Sequence, residues 1–225
     1  MSSLIIRHAR VDDAPAIASV HIKSWQEAYH GLISQEYLET LSNELENRVE
    51  TWTNILANPQ RWTWVAEGTN GIVGFVLFGP PRDPNREGFV ELGAIYLLAC
   101  EKGKGIGFSL ITAGFNKMRD LGYKKSYCWV LENNPTIKFY ERSGANFSGH
   151  TKVDEIGGKN FKELAYDWDS LDIGDYRWEP LAVEDVKSVL KPFKHQWWIA
   201  GGWAIDLFIG RQTRKHKDID VLVRR

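Results

Sequence analysis

Glu101-Lys102-Gly103-Lys104-Gly105-Ile106-Gly107 joins a strand-like apolar run, Phe89 to Leu97, to a helix-like run, Phe108 to Leu121. A glycine-rich turn that opens a helix offers several backbone N–H groups at the positive end of the helix dipole, a setting suited to a pyrophosphate. Glycine is the residue that lets phosphate oxygens come close to such a backbone. A tight strand-to-helix connection would use the same residues, so the stretch needs support from elsewhere in the chain.

Around this stretch the pattern alternates between strands and helices. Leu4 to Arg7 predicts a short strand, and Asp12 a helix N-cap with Ile17, Val20 and Ser24 on one face. Gly31 stops that helix; Ser34 and Ser42 each open another, the second placing Leu45, Val49, Trp52 and Leu56 on one stripe. Thr63 to Glu67 and Ile72 to Phe78 flank Gly68-Thr69-Asn70-Gly71, a hairpin signal. After the glycine turn, Phe108, Ile111, Phe115 and Met118 form a buried helix face. Lys125 to Leu131 predicts a strand, Ile137 to Tyr140 a short helix, and 161–168 a final strand. Helices beside one mixed central sheet make an α/β (α+β) layout.

Composition limits the function. The 225 residues are 43% hydrophobic and 25% charged, ordinary for a globular protein. A net charge of -1 argues against bulk nucleic-acid binding. Cys100 and Cys128 are widely spaced and fit reduced thiols in a cytoplasmic protein, without a disulfide or metal role. The start, Met1 to His8, lacks the pattern of a signal peptide, and the apolar stretch Trp197 to Gly210 is too short for a membrane span and holds Asp206.

The strand, the Lys102-x-x-Gly105-x-Gly107 turn and the helix resemble the acetyl-CoA signature of the GNAT superfamily of N-acyltransferases, Arg/Gln-x-x-Gly-x-Gly/Ala, with Lys102 a conservative departure. No Gly-Lys-Ser/Thr follows, as a nucleotide P-loop would require. Downstream, Asn133 to Ala145 resembles the superfamily's Asn-x-x-Ala-x-x-Phe-Tyr-x-x-x-Gly-Phe element, with Thr136 and Ala145 replacing the usual Ala and Phe. The resemblance covers about residues 4–169 and implies a GNAT fold and acetyl transfer from acetyl-CoA to an amine.

By this resemblance the cofactor lies on Lys102, Gly103, Lys104, Gly105, Ile106 and Gly107, with pantetheine amides along the strand edge at Ile95, Tyr96 and Leu97. Asn133 holds the pantetheine arm or caps a turn. Glu91 is the candidate general base, directly or through a water, or else an outward strand residue. Tyr140 is the candidate general acid toward the leaving thiolate, or a packing residue over the cofactor. Trp25, Tyr29 and His30 lie where the family builds its acceptor pocket, although aromatic residues at helical spacing also suit a core. His21 and His150 have no partner in sequence and suit solvated or hydrogen-bonded side chains. The expected acceptor is a small-molecule amine; a homodimer is the assembly left open.

Past Asp169 the pattern changes. Residues 170–180 read as a linker, giving a 1–169 acyltransferase domain and a 181–225 segment. That segment carries a short helix with Val183, Val186 and Leu190, a strand Trp197 to Ala200, a Gly201-Gly202 turn and a helix Trp203 to Ile209. Asp218 and Asp220 alternate on one strand face and, with the Gly-Gly turn, suit a Mg2+-nucleotide site. Gly201, Gly202, Trp203, Asp206, Gly210, Arg211, Arg214, His216, Asp218 and Asp220 resemble the start of the aminoglycoside and lincosamide nucleotidyltransferases. Residues 191–225 hold eight basic against three acidic side chains, as triphosphate binding would favour. About 45 residues bury too little surface for a firm domain, so the segment reads as a truncated, vestigial nucleotidyltransferase beginning. Its kinship suggests a drug-modifying setting: an aminoglycoside acceptor and a role in antibiotic resistance. The alternatives to an enzyme of acetyl transfer are an acyl-CoA-binding module and a nucleotidyltransferase with an accessory GNAT domain.

Overall fold

A computed structural model of the chain describes residues 4–174, 183–214 and 219–224. Two compact units divide it, Met1–Tyr176 and Arg177–Arg225. In the first, a seven-stranded mixed sheet carries helices on both faces, as the alternating sequence predicts.

The strands are β1 (Ile5–His8), β2 (Trp62–Gly68), β3 (Gly71–Gly79), β4 (Phe89–Leu97), β5 (Lys125–Leu131), β6 (Asn146–Ile156) and β7 (Lys159–Trp168), ordered β1-β2-β3-β4-β5-β7-β6. The β2–β3 hairpin closes at the predicted turn, with Gly68 opposite Gly71. Every neighbouring pair is antiparallel except β4 and β5. The helices are α1 (Ala14–Ala28), α2 (Gln35–Thr40), α3 (Leu45–Ala57), α4 (Ile106–Asp120) and α5 (Ile137–Arg142).

Strand alternation sorts the core into two faces. Val65, Phe75 and Leu77 meet Ile17, Ala18 and Trp52 from α1 and α3. Trp64, Val76 and Phe78 point the other way, onto Leu110, Ile111, Phe115 and Met118 of α4. The α3 stripe is narrower than predicted: Trp52 is buried and Val49 and Leu56 partly so, while Leu45 is exposed. Ser42 lies in a 3-10 turn, and the α-helix proper starts at Leu45.

One strand escaped the sequence. The single expected final strand is the second arm of a hairpin whose first arm, β6, runs along the sheet edge. Its side chains are almost all solvent-facing or half-buried and its register slips between Phe147 and Thr151, so neither a hydrophobic alternation nor an uninterrupted run marks it. The segment read as linker also begins inside the core, because Leu171 and Ile173 pack with Phe115 and Trp168.

In the second unit, α6 (Val186–Val189) follows a 3-10 turn, and β8 (Trp197–Ala200) pairs antiparallel with β9 (Asp220–Val223) around α7 (Gly201–Ile209). The expected Gly201-Gly202 turn is the first turn of α7 rather than a separate loop. Gly201 adopts φ +64°, and a side chain there would collide with the Asp220 carboxylate, which is seated against the helix start. His216 and Asp218 lie outside the described residues.

Candidate active site

The site is built on an interrupted ladder. β4 and β5 pair at only three positions, Phe89↔Lys125, Val90↔Ser126 and Glu91↔Tyr127. Beyond Glu91 the two strands continue to Leu97 and Leu131 without pairing to each other, each held by its other neighbour, β3 and β7. The register between β3 and β4 jumps at Leu77/Phe78, leaving Gly93 as the extra residue of a bulge. Gly93 is solvent-exposed in mid-strand, which marks the mouth of the opening. Unpaired backbone on two facing strand edges requires other hydrogen-bond partners, and an extended amide-containing ligand can supply them.

Glu91 sits at the apex of this opening, buried apart from 1% of its surface. Arg82, from the loop after β3, donates through Nε to Oε1 at 2.9 Å and through its backbone N–H to Oε2 at 2.9 Å, and its second guanidinium nitrogen forms a further ion-paired contact. The Tyr127 hydroxyl donates to Oε2 at 2.9 Å. Burial alone would raise the Glu91 pKa, but the Arg82 hydrogen bonds outweigh it and hold the carboxyl below its ordinary value. Tyr127 moves the other way, pushed up to about 12 by burial and by the Glu91 charge. Neither Arg82 nor Tyr127 stood out in the sequence; the loop arginine has no periodic or motif signal.

Tyr140 of α5 is buried, its ring edge-on to Trp168 at 5.7 Å between centroids. Burial raises its pKa well above the usual phenol range, reinforced by the neighbouring Cys128 thiol and by Tyr29. The hydroxyl is therefore held in its proton-bearing form. From the other sheet face, Tyr29 and Tyr96 exchange a hydrogen bond at 3.1 Å between hydroxyls, and the Trp25 and Tyr29 rings lie 4.7 Å apart. Burial raises the Tyr96 phenol as well, with the charges of Tyr29 and Tyr140 both contributing. His30 stays exposed in the turn after α1.

His21 has the partner that its sequence position did not reveal. Trp52 Nε1 donates to its Nδ1 at 3.2 Å, and the ring lies 4.9 Å from that of Tyr96. Burial, aided by Arg48, lowers its pKa to about 3, so the imidazole is neutral.

The glycine loop meets the same opening at the start of α4. Gly105 caps the helix with φ +78°, no side chain caps it, and a Cβ at Gly103 or Gly105 would meet no heavy atom within 4 Å. The loop is thus open above a helix start whose first-turn N–H groups have no intrahelical acceptor, and the residues fit a pyrophosphate. Gly107 serves another purpose: a Cβ there would press on the Phe139 ring at 3.2 Å. Phe139 precedes Tyr140, so the two sequence motifs touch. Asn133 is exposed with φ 70°, and the helix-turn hydrogen bond expected of an asparagine comes from its neighbour: Asn134 Oδ1 accepts from Thr136 N at 2.9 Å. A pocket of about 460 Å³ lined by Ser143, Gly144, Asp169, Ser170, Asp172, Ile173 and Gly174 contains none of these groups.

A sheet opened between parallel strands, with a glycine-opened helix beside the gap, defines an acyl-transfer fold. Residues 22–145 match the Acetyltransferase (GNAT) family, and the chain belongs to it. It is 34% identical over 169 residues to the uncharacterized N-acetyltransferase YuaI of Bacillus subtilis, across 74% of this chain and 93% of that one. Its fold is similar to that of PaiA N-acetyltransferase from Thermoplasma acidophilum, solved in complex with coenzyme A (TM-score 0.56, 22% identity, covering 74% of this chain and 98% of that one). It is also similar to that of an N-acetyltransferase from Staphylococcus aureus Mu50 (TM-score 0.58, 21% identity, 76% and 99% covered). The protein is an N-acetyltransferase of GNAT type. Residues 182–225 match the Aminoglycoside-2''-adenylyltransferase family. Within the chain, 24 residues are 71% identical to the 2''-aminoglycoside nucleotidyltransferase of Escherichia coli, spanning 14% of its length.

The clamp on Glu91 has a measurable signature. The native carboxyl pKa lies below its unfolded value, so its stabilising contribution is complete above the unfolded pKa and is lost as pH falls through the native one. In Arg82→Ala the guanidinium contacts are lost while the backbone and Tyr127 hydrogen bonds remain, so burial is opposed less and the Glu91 side-chain carbon should titrate at higher pH by NMR. An unmoved midpoint would contradict the arrangement.

Proposed function

We propose that the protein transfers the acetyl group of acetyl-CoA directly to a primary amine of a small molecule, with Glu91 as base and Tyr140 as acid. The observation that carries this reading is the end of the β4–β5 ladder at Glu91↔Tyr127, with a buried carboxylate on one side of the gap and a proton-bearing phenol on the other. Acetyl-CoA supplies the activated thioester. The loop Lys102 to Gly107 would hold its pyrophosphate, and the free β4 edge at Ile95, Tyr96 and Leu97 would hydrogen-bond its pantetheine amides. Asn133, in the turn between β5 and α5, would border this arm.

The chain's own groups divide the proton traffic. Glu91, ionised by Arg82, can take a proton from the acceptor ammonium directly or through a water; Tyr140 can give one to the departing sulfur. Holding the amine at the gap converts an encounter between two solutes into a local attack, the larger part of the acceleration. Trp25, Tyr29 and Tyr96 suit the acceptor side, with His30 at its rim. The kinship of residues 182–225 suggests an aminoglycoside as acceptor and a resistance role. Free Cys100 and Cys128 suit a reducing cytoplasm. Asp220 lies against Gly201 at the start of α7, where the sequence suggests a Mg2+-nucleotide site.

Tyr140→Phe should lower turnover of the best amine by about 10²-fold while leaving acetyl-CoA affinity unchanged, because it removes a donor and keeps the ring. Wild-type steady-state rates would reduce Tyr140 to packing. Gly105→Val should weaken acetyl-CoA binding sharply, through its positive φ and the blocked backbone approach. Titration calorimetry with unchanged affinity would remove the loop from the site.

A further inference from the structure

Glu163 is a carboxylate in the wrong place for a purely structural residue. It lies on β7, opposite Leu131 of β5 and Lys152 of β6, in the middle of three paired strands. Its neighbours Leu164 and Tyr166 belong to the core beneath α4, so Phe161 and Glu163 face the opposite way, toward α1 and α2. Phe161 indeed packs in the cluster that contains Trp25 and Tyr29. This is the acceptor side of the site.

The Glu163 side chain is only 15% exposed and its Oε2 is sealed from solvent. Lys152 Nζ lies 2.9 Å from that oxygen. Lys152 is itself 40% exposed, reaching in from the edge strand over the Trp129 ring at 4.8 Å. Glu91 repeats the arrangement: a nearly buried carboxylate paired to Arg82, whose side chain is 63% exposed. The Glu163 charge also reaches Arg82, the partner of Glu91, and Tyr29, helping to raise both. This sheet face carries three inward carboxylates: Asp167 is held by the buried Arg86, while Glu91 and Glu163 are each covered by a long, solvent-reaching cation. A cationic ligand can take over such a position without leaving a buried carboxylate unpaired, whereas a neutral ligand that displaced the lysine would strand it.

We propose that Glu163 anchors a second ammonium group of the acceptor in exchange for Lys152, so that the enzyme selects small amines carrying at least two positive charges. Building on the acetyl-transfer reading, this assigns the reacting amine to the Glu91 end of the face and the anchored one to the β7 end. The two positions are offset along β5 by the step from Tyr127 to Leu131, about 13 Å at roughly 3.3 Å per residue, and across it by two strand spacings of about 4.8 Å, so their backbones are about 16 Å apart. Long side chains at both ends shorten the span that the acceptor must cover. The aromatic rings of Trp25, Tyr29 and Trp129 suit the apolar chain between the charges.

The test compares 1,4-diaminobutane with butylamine on the full chain. Wild type should show a kcat/KM for the diamine about tenfold or more above that for the monoamine. Glu163→Gln, which keeps shape and removes charge, should raise KM for the diamine by about tenfold and leave butylamine unchanged. Lys152→Met, which frees the carboxylate, should lower the diamine KM, a gain that a damaged fold would not produce. Calorimetric titration of the diamine into the coenzyme A complex gives a readout independent of turnover, and Glu163→Gln should weaken the binding seen with wild type by about tenfold. Binding that depends on Glu163 without turnover of either amine would uphold the anchor and sink the transfer reading. Equal effects of Glu163→Gln on both amines, or diamine binding that is absent in wild type or unchanged in Glu163→Gln, would overturn the anchor.

Discussion

The parallel ladder between β4 and β5 stops after its third pair, and the organisation of the site follows from that stop. Parallel strands with regular backbone geometry would go on pairing. Here the bulge at Gly93 bends β4 away just past Glu91, and the last pair is secured by its side chains: Tyr127 donates to Glu91, and Arg82 closes over both. A buried carboxylate in a sheet is tolerable only with such partners, and removing one is strongly destabilising when the charge stays buried. The clamp thus stabilises the sheet at the point where its hydrogen bonding gives out. Beyond it, two strand edges stand open to one another inside a folded domain.

The two sequence motifs converge on that opening through packing as well as chemistry. Gly107 lacks a side chain where Phe139 lies against the first turn of α4, so the loop that opens α4 and the helix that carries Tyr140 are set by one contact. Tyr140 is fixed from behind by Trp168. Trp168 in turn donates from Nε1 to the Ser143 carbonyl at 3.0 Å, at the end of α5. A hydroxyl whose position is determined by two aromatic contacts is preorganised, the property that the proposed proton transfer from Tyr140 would draw upon.

Elements with strong local signals were legible in the sequence. The β2–β3 hairpin announces itself by its glycine-bounded turn, α4 by its apolar face, and the loop by its glycines; β4 and β5 have the observed limits, Phe89–Leu97 and Lys125–Leu131. β6 was not legible because an edge strand needs no buried alternation. Among the candidate site groups, Glu91, Tyr140, Trp25, Tyr29 and Tyr96 could be proposed from sequence because they lie on patterned elements or in family motifs. Arg82, Tyr127, His21 and Glu163 could not, since their significance comes from partners 9, 36, 31 and 11 positions away. Asn133 shows the resolution of such reading: the predicted turn is there, and its hydrogen bond belongs to the next residue.

Whether the gap beyond Glu91↔Tyr127 receives the acyl donor can be read from amide hydrogen exchange. Backbone N–H groups on an open strand edge and in a glycine loop exchange readily until a ligand bonds them. On adding acetyl-CoA, exchange should slow in two segments, Ala94 to Leu97 of β4 and Gly103 to Phe108 at the start of α4, with β1 and β2 unchanged. Saturating acetyl-CoA that leaves both segments unprotected, or protects a surface elsewhere instead, would contradict binding in the gap.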